Sequence, residues 1–195
     1  PTTPPAPPPA GPPTVVYAGH LYPWKGVDVL IRAVGLLPDV KAVVVGGRFG
    51  DADMTRVMAL ADDLGVRSRV TFTGFVPASA VADAVAGATV AVVPTLDTPS
   101  ARYTSPLKMF EYMAARRPIV ASDLPPVREI LTDRVNARLV PPGDPVALAA
   151  AVAGLVADPA GAGRLVERAA ADVAAFTWER RAARLDALFA AVCSR

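Results

Sequence analysis

The sequence predicts an α/β domain, a doubly wound parallel sheet of about six strands covered by helices on both faces. Three observations predict it. Six short runs between Thr14 and Val140 are almost continuously apolar, as strands buried on both faces must be. Helical spacing fills the intervals between them, and parallel strands need crossovers of that length. Gly or Pro marks most of the junctions.

The elements follow in order. The first 13 residues hold eight prolines and read as a linker in extended polyproline conformation. Thr14–Ala18 is the first strand. Val27, Leu30, Ile31 and Val34 fall on one helix face at i, i+3, i+4, i+7. Lys41–Val45 is a buried-type strand ended by Gly46-Gly47. Val57, Leu60, Ala61 and Leu64 repeat the helical spacing, with Gly65 as the end signal. Arg69–Thr73 is a strand, Ala78–Ala86 a helix and Ala88–Val93 a β-branched strand.

Ser105-Pro106 reads as a cap followed by Pro at the first helical position, opening a helix to Ala115 with Leu107, Phe110 and Ala114 on its buried face. Pro118–Ala121 and Ala137–Val140 are the last strands, with a helical turn or two over Pro125–Leu131 between them. Helices over Pro145–Ala157, Gly163–Phe176 and Thr177–Val192 complete the domain, taken as residues 14–195. The last carries Trp178, Ala182, Leu185, Leu188 and Val192 on one face, a stripe expected to pack in part on the domain.

Composition removes several function classes. The chain has 195 residues, 52% hydrophobic and 19% charged, which suits one domain with a sizeable core. A net charge of +2 leaves no general electrostatic footprint for nucleic acid. The single cysteine, Cys193, excludes a disulfide within the chain, and with one histidine, His20, no Cys- or His-rich metal site can form. The longest apolar run, Val146–Ala157, is 12 residues, short of the ~18–20 that a spanning helix needs. A cytoplasmic protein is expected. Of 20 basic residues only three are lysine, a bias that fits a GC-rich bacterial genome and makes Lys25 and Lys108 conspicuous in their loops.

In doubly wound sheets ligands bind beyond the carboxyl ends of the strands, so the strand-to-helix loops are the candidates. Gly19-His20-Leu21-Tyr22-Pro23-Trp24-Lys25-Gly26 follows the first strand and runs into a helix start. Its glycines permit close backbone approach, and Lys25 suits phosphate oxygens. It is neither a Walker A loop nor Gly-x-Gly-x-x-Gly. In the second loop Lys108 and Glu111 are three apart near a helix start. They form either a surface ion pair or a cation for phosphate beside a carboxylate for a ribose diol. Phe75 and Val76, after Gly74, are placed equally well to face a flat ring or to pack in the core.

Taken together and in order, Ala18-Gly19-His20-Leu21-Tyr22-Pro23-Trp24-Lys25-Gly26, Val43-Val44-Val45-Gly46-Gly47, Arg69 to Pro77, Ser105-Pro106-Leu107-Lys108-Met109-Phe110-Glu111-Tyr112-Met113-Ala114, Val140-Pro141-Pro142-Gly143-Asp144-Pro145 and Phe176-Thr177-Trp178 resemble the C-terminal, nucleotide-sugar-binding domain of family 4 glycosyltransferases of GT-B fold. The resemblance implies a Rossmann-like domain, half of a two-domain enzyme, that binds a nucleoside-diphosphate sugar for retaining hexosyl transfer in carbohydrate biosynthesis without a metal or other cofactor. It implies that Lys25 contacts the donor diphosphate, that Glu111 holds the ribose, and that the backbone around Leu107 and Lys108 receives the pyrophosphate. Lys25, Lys108 and Glu111 are the catalytic candidates. Gly19, His20, Gly46, Gly47, Gly74, Phe75, Val76, Tyr103, Ser105, Pro106 and Leu107 complete the donor site. The family often has Arg where this chain has His20, and the first glutamate of its Glu-x7-Glu motif falls on Tyr103. The acceptor, a sugar, lipid or small molecule, would come from a preceding domain, and the longer enzyme would sit at the inner membrane surface. The domain alone is then expected to transfer no sugar. A sensor or inactive paralogue that binds nucleotide sugar, or a sugar-phosphate epimerase, is the alternative.

Overall fold

A computed structural model describes residues 11–193. Its elements, in chain order, are β1 (Thr14–Ala18), α1 (Val27–Gly35), β2 (Lys41–Val45), α2 (Ala52–Asp63), β3 (Val70–Gly74), α3 (Ala78–Ala86), β4 (Val90–Val93), α4 (Lys108–Ala114), β5 (Ile119–Ser122), α5 (Pro125–Arg128), β6 (Arg138–Val140), α6 (Pro145–Ala157), α7 (Pro159–Val173) and α8 (Trp178–Cys193). The Pro-rich run lies outside the described residues as far as residue 10.

The six strands form one parallel sheet in the order β3-β2-β1-β4-β5-β6. β1 lies in register with β2 from Thr14 opposite Lys41 to Ala18 opposite Val45. Successive side chains point to opposite faces, so each strand feeds two cores. Val15, Tyr17, Ala42 and Val44 pack on one side with α1, α2 and α6. Val16, Ala18, Val45 and Ala91 pack on the other with α3, α4, α5 and α7. Tyr17, Val44, Val90, Val92 and Ile119 are fully buried, which is why these strands read as unbroken apolar runs.

The chain reverses direction across the sheet between β1 and β4, so a crevice opens there beyond the strand ends. The ends of β1, β2 and β3 are glycine-lined for packing reasons. A Cβ on Gly46 (φ 111°) would lie 2.3 Å from the Gly19 carbonyl oxygen. Gly19 N–H donates to the Val45 carbonyl (2.9 Å) and Gly46 N–H to the Gly74 carbonyl (3.0 Å), so backbone meets backbone where side chains would not fit.

Arg69 closes the far end of the sheet. Its Nη1 donates to the carbonyls of Val34 (2.8 Å), Leu37 (2.5 Å) and Val40 (3.0 Å), a second donor for Val34 and Leu37, which also accept from the Leu37 and Val40 N–H groups. Replacing Arg69 with Met should lower stability by about 2 kcal/mol, a fall of ~4–8 °C in Tm, and leave ligand affinity at the opposite end of the sheet unchanged. Thermal unfolding with a parallel ligand titration checks both.

Three helices differ from the sequence expectation. α4 begins at Lys108, not Ser105: its first i→i+3 bond runs from Met109 N–H to the Pro106 carbonyl (3.1 Å), and Thr104 is extended. Its buried face is Met109, Tyr112 and Met113, whereas Leu107 and Ala114 are exposed and Phe110 is partly buried. The short helix rotates so that the Tyr112 hydroxyl reaches the end of β1. α7 starts four residues early because the Asp158 carboxylate caps Gly161 N–H (2.8 Å) ahead of Pro159. In α8 no residue is buried: the stripe from Trp178 to Val192 is solvent-facing, and only its start borders a groove, with Phe110 and Phe176. α6 does bury Leu148, Val152 and Leu155 as a core helix should, and no single described helix is long and apolar enough to cross a membrane.

Candidate functional site

The site is assembled from the loops after β1, β2 and β3 together with the first turn of α4. After β1 the chain passes Gly19 (φ 145°), reaches a short 3-10 turn at Pro23–Lys25, and enters α1 through Gly26 in the left-handed conformation. Two side chains hold the loop's early carbonyls from outside it. The Tyr17 hydroxyl donates to His20 O (2.5 Å) and Arg56 Nη2 donates to Leu21 O (3.0 Å). Across the crevice, Leu96 N–H donates to Trp24 O (2.9 Å), tying the loop to the segment after β4.

From the other side, α4 directs Lys108 back under this loop. Its Nζ lies 3.8 Å from the Tyr17 ring centroid, a cation–π contact, and a Cβ built on Gly19 would come within 2.6 Å of it. The glycine thus leaves the space that the ammonium occupies. Burial pulls the pKa of Lys108 down to about 7; the charge of Lys25 lowers it further and that of Glu111 opposes the shift. Two lysines therefore share one small region, with incomplete solvation of one of them. Such an arrangement is short of negative charge.

A cleft of about 230 Å³ adjoins it, lined by Gly19, His20, Gly46, Gly47, Phe75, Val76 and Glu111 among others. The cavity walls are apolar on the β3 side, where Phe75 is 90% exposed, and polar at Glu111. A further hollow of about 450 Å³ continues from it past Leu21, Arg48 and Asp51, sharing His20, Gly47 and Phe75. His20, Tyr22 and Trp24 stack in sequence along the rim, with ring centroids 5.2 and 4.7 Å apart.

Of the residues selected from sequence, the cleft gathers seven directly; Lys108 lies against Gly19 at its edge, and Lys25 is within electrostatic reach of Lys108. Gly74 stands just behind, where a Cβ would strike Phe49 at 2.8 Å. Leu107 faces the neighbouring groove that Glu111 also borders. Tyr103, Ser105 and Pro106 line neither cavity; Tyr103 is 90% exposed on the β4–α4 segment. Lys108 and Glu111 form no ion pair among the described residues, which removes the surface-pair account of their spacing. Among the described residues no group of three or more His, Cys, Asp or Glu is placed to hold a metal ion.

Sequence reading missed Tyr17 and Tyr112. The Tyr112 hydroxyl accepts from Ala18 N–H (2.9 Å), joining α4 to the last residue of β1, and burial raises the pKa of both phenols so that they stay neutral. The signal available was a tyrosine inside an apolar run, whose hydroxyl needs a partner once buried.

Comparison with known proteins shows the family and the fold. The family model of group 1 glycosyl transferases matches residues 12–158. A D-inositol 3-phosphate glycosyltransferase from Xylanimonas cellulosilytica is 34% identical over 189 residues, covering 96% of this chain and 44% of that protein. One from Mycobacterium marinum is 36% identical over 169 residues, 85% of this chain and 35% of that protein. The chain thus spans less than half the length of these relatives. Among solved structures, sucrose-phosphate synthase from Thermosynechococcus elongatus superposes with a TM-score of 0.85 at 29% identity, over 95% of this chain and 47% of that one. Anabaena Alr3699/HepE, solved in complex with UDP, gives a TM-score of 0.76 at 26% identity over 84% of this chain and 44% of that one. The chain, an α/β domain with the six-stranded parallel sheet of GT-B glycosyltransferases, belongs to the group 1 glycosyl transferases.

Proposed function

We propose that this chain is the donor-binding domain of a retaining glycosyltransferase, and that its crevice holds a nucleoside-diphosphate sugar. The observation that carries the reading is Lys108, an ammonium packed beneath the β1–α1 loop within the electrostatic reach of Lys25. A diphosphate bound there relieves the repulsion between the two cations. As the bond from the sugar to the diphosphate breaks, charge grows on the leaving oxygen, and the two lysines stabilise it without a metal. His20 borders the same cleft, and the Leu107 and Lys108 N–H groups, which precede the first hydrogen bond of α4, are assigned to the same anion.

The rest of the cleft suits the nucleoside. Glu111 offers two acceptor oxygens to a ribose diol, and the Gly74–Val76 segment with Phe75 offers a flat apolar wall to the base. That HepE is solved with UDP and with UDP-glucose supports a nucleotide sugar as the ligand class. The acceptor pocket and the wall that shuts water from the sugar are assigned to a part of the enzyme outside this chain. The chain by itself then binds donor and transfers no sugar, since transfer needs both reactants held together. A cytoplasmic enzyme working at the inner membrane surface fits this proposal.

Calorimetric titration of the 195-residue chain with UDP, GDP and ADP tests the reading; UDP, the ligand with which HepE is solved, should bind, and binding of none of the three would overturn it. Glu111→Ala should then weaken that nucleotide by about 1.5–3 kcal/mol, ~10–100-fold, while the fold survives because the side chain is exposed. Unchanged affinity in this variant would remove Glu111 from the ribose site.

A further inference from the structure

Arg56 lies on α2 and borders neither cavity of the site. Its guanidinium nevertheless makes two contacts around the segment that carries Lys25 and one within its own helix. Nη2 donates to Leu21 O (3.0 Å), at the entry to the β1–α1 loop. Nη1 pairs with the carboxylate of Asp28, in the first turn of α1 just beyond Lys25. Nη2 also lies 3.6 Å from Asp53 on its own helix. The bridge therefore spans the loop from Leu21 to Asp28 and fixes both ends of the stretch holding Tyr22 to Gly26. Leu21 is also wedged against Gly47, where an added Cβ would come within 2.4 Å of its Cδ1, so the loop has little freedom to settle elsewhere.

The contacts are tight without being fully satisfied: Asp28 Oδ1 and Arg56 Nε are buried and have no hydrogen-bond partner among the described residues. Such orphaned groups oppose stability, so the bridge is a costly way merely to hold two helices together. It also holds the loop. The Tyr17 hydroxyl holds the carbonyl of His20 and Arg56 holds the next one, so two consecutive peptide units are aimed by side chains from outside.

We infer that Arg56 is a positioning residue for the donor diphosphate, acting through the β1–α1 loop to hold Lys25 within electrostatic reach of Lys108. This inference rests on the donor-site reading given above. A group acting through another loses its effect when the other is gone, and that is the test. UDP and uridine are titrated into the unsubstituted chain, Arg56→Met, Lys25→Met and the double variant, with Arg56→Lys as the conservative replacement.

Arg56→Met should weaken UDP about tenfold and uridine by less than about twofold. In the double variant the loss should match that of Lys25→Met alone. Arg56→Lys should recover part of the affinity, because one charge remains but the fork that reaches Leu21 and Asp28 together does not. Equal losses for UDP and uridine, multiplied losses in the double variant, or unaltered UDP affinity in folded Arg56→Met would each overturn the inference. Should Arg56→Met fail to fold, Arg56→Lys serves in its place in the same comparison. Amide hydrogen exchange gives a readout independent of the nucleotide. Residues 20–26 should exchange faster in the Arg56 variant while the strands keep their protection, and unchanged exchange there would also overturn it. If the unsubstituted chain binds no nucleotide, the donor-site reading falls, and the exchange result alone decides whether Arg56 sets the loop.

Discussion

Lys108→Met is expected to weaken UDP binding by about 100-fold, near 3 kcal/mol, and at the same time to raise the melting temperature of the unliganded chain. The two effects have one cause. Burial beneath the β1–α1 loop and the neighbouring Lys25 both disfavour the ammonium, pulling its pKa from 10.5 to about 7. That displacement is a charge-burial cost of a few kcal/mol, partly offset by the attraction to the Tyr17 ring. Methionine has nearly the same length, fills the space left by Gly19 and carries no charge to desolvate. A rise of ~3–6 °C in Tm at pH 6 follows. Lower stability together with lost affinity would show that Lys108 serves the fold.

The sign of the pH dependence is fixed by the same displacement. The folded pKa is below the unfolded one, so between about 7 and 10.5 the unfolded chain binds more protons, and stability rises with pH across that window. Below pH 7 both states carry the charge and the penalty is present in full. The stabilising effect of Lys108→Met should therefore be largest at pH 6 and shrink by pH 9, which thermal unfolding at the two values can compare. Binding runs the opposite way. A diphosphate favours the ammonium, so affinity should fall as pH climbs from 7 to 9, with proton uptake visible in calorimetry in buffers of different ionisation enthalpy. The Met variant should lack both the uptake and the slope.

The sheet was legible in the sequence because it is buried on both faces. Runs such as Val43-Val44-Val45 and Val90-Ala91-Val92-Val93 have no polar alternation to confuse them with anything half-exposed, and glycines end the first three strands for packing reasons that leave a mark on sequence. The errors gather in α4 and α8, where tertiary contact decides. α4 is seven residues long, too short for its periodicity to fix its rotation. What rotates it is the Tyr112–Ala18 hydrogen bond, a contact between residues 94 apart. In α8 the apolar face predicts burial, but nothing in the described chain covers it. At the site, the two lysines could be picked out because the chain otherwise uses arginine. Their convergence on one region could not, since it needs the β1 and α4 loops brought together by the strand order. The loop supports were least legible of all. Arg56 and Tyr17 act through carbonyl groups, and a carbonyl acceptor leaves no trace in residue identity.

Gly26→Ala should be the most destabilising small substitution in the domain. Gly26 is buried, adopts φ 74°, and lies where the β1–α1 loop crosses the end of β4. A Cβ there would stand 1.8 Å from the Pro94 carbonyl oxygen and 2.7 Å from its carbon, so it meets backbone rather than a side chain able to turn away. The left-handed conformation alone costs an L-residue about 1–2 kcal/mol. Relieving the contact requires the two loops to part by more than 1 Å, roughly the gap between 1.8 Å and ordinary van der Waals contact. Parting them strains the Leu96–Trp24 hydrogen bond and the Gly26 carbonyl that accepts from Val29 N–H (3.0 Å), the first closed bond of α1. A total of about 3–5 kcal/mol is expected, a fall of roughly 6–20 °C in Tm. Because Lys25 precedes Gly26, UDP affinity should drop even at temperatures where the variant stays folded. Gly154→Ala is the control: Gly154 sits within α6 with no heavy atom near the added Cβ, and alanine there should stabilise by about 0.5–1 kcal/mol. Wild-type Tm and UDP affinity in Gly26→Ala would mean that the β1–α1 and β4–α4 segments can separate freely, and the pairing of Lys25 with Lys108 would lose its structural basis.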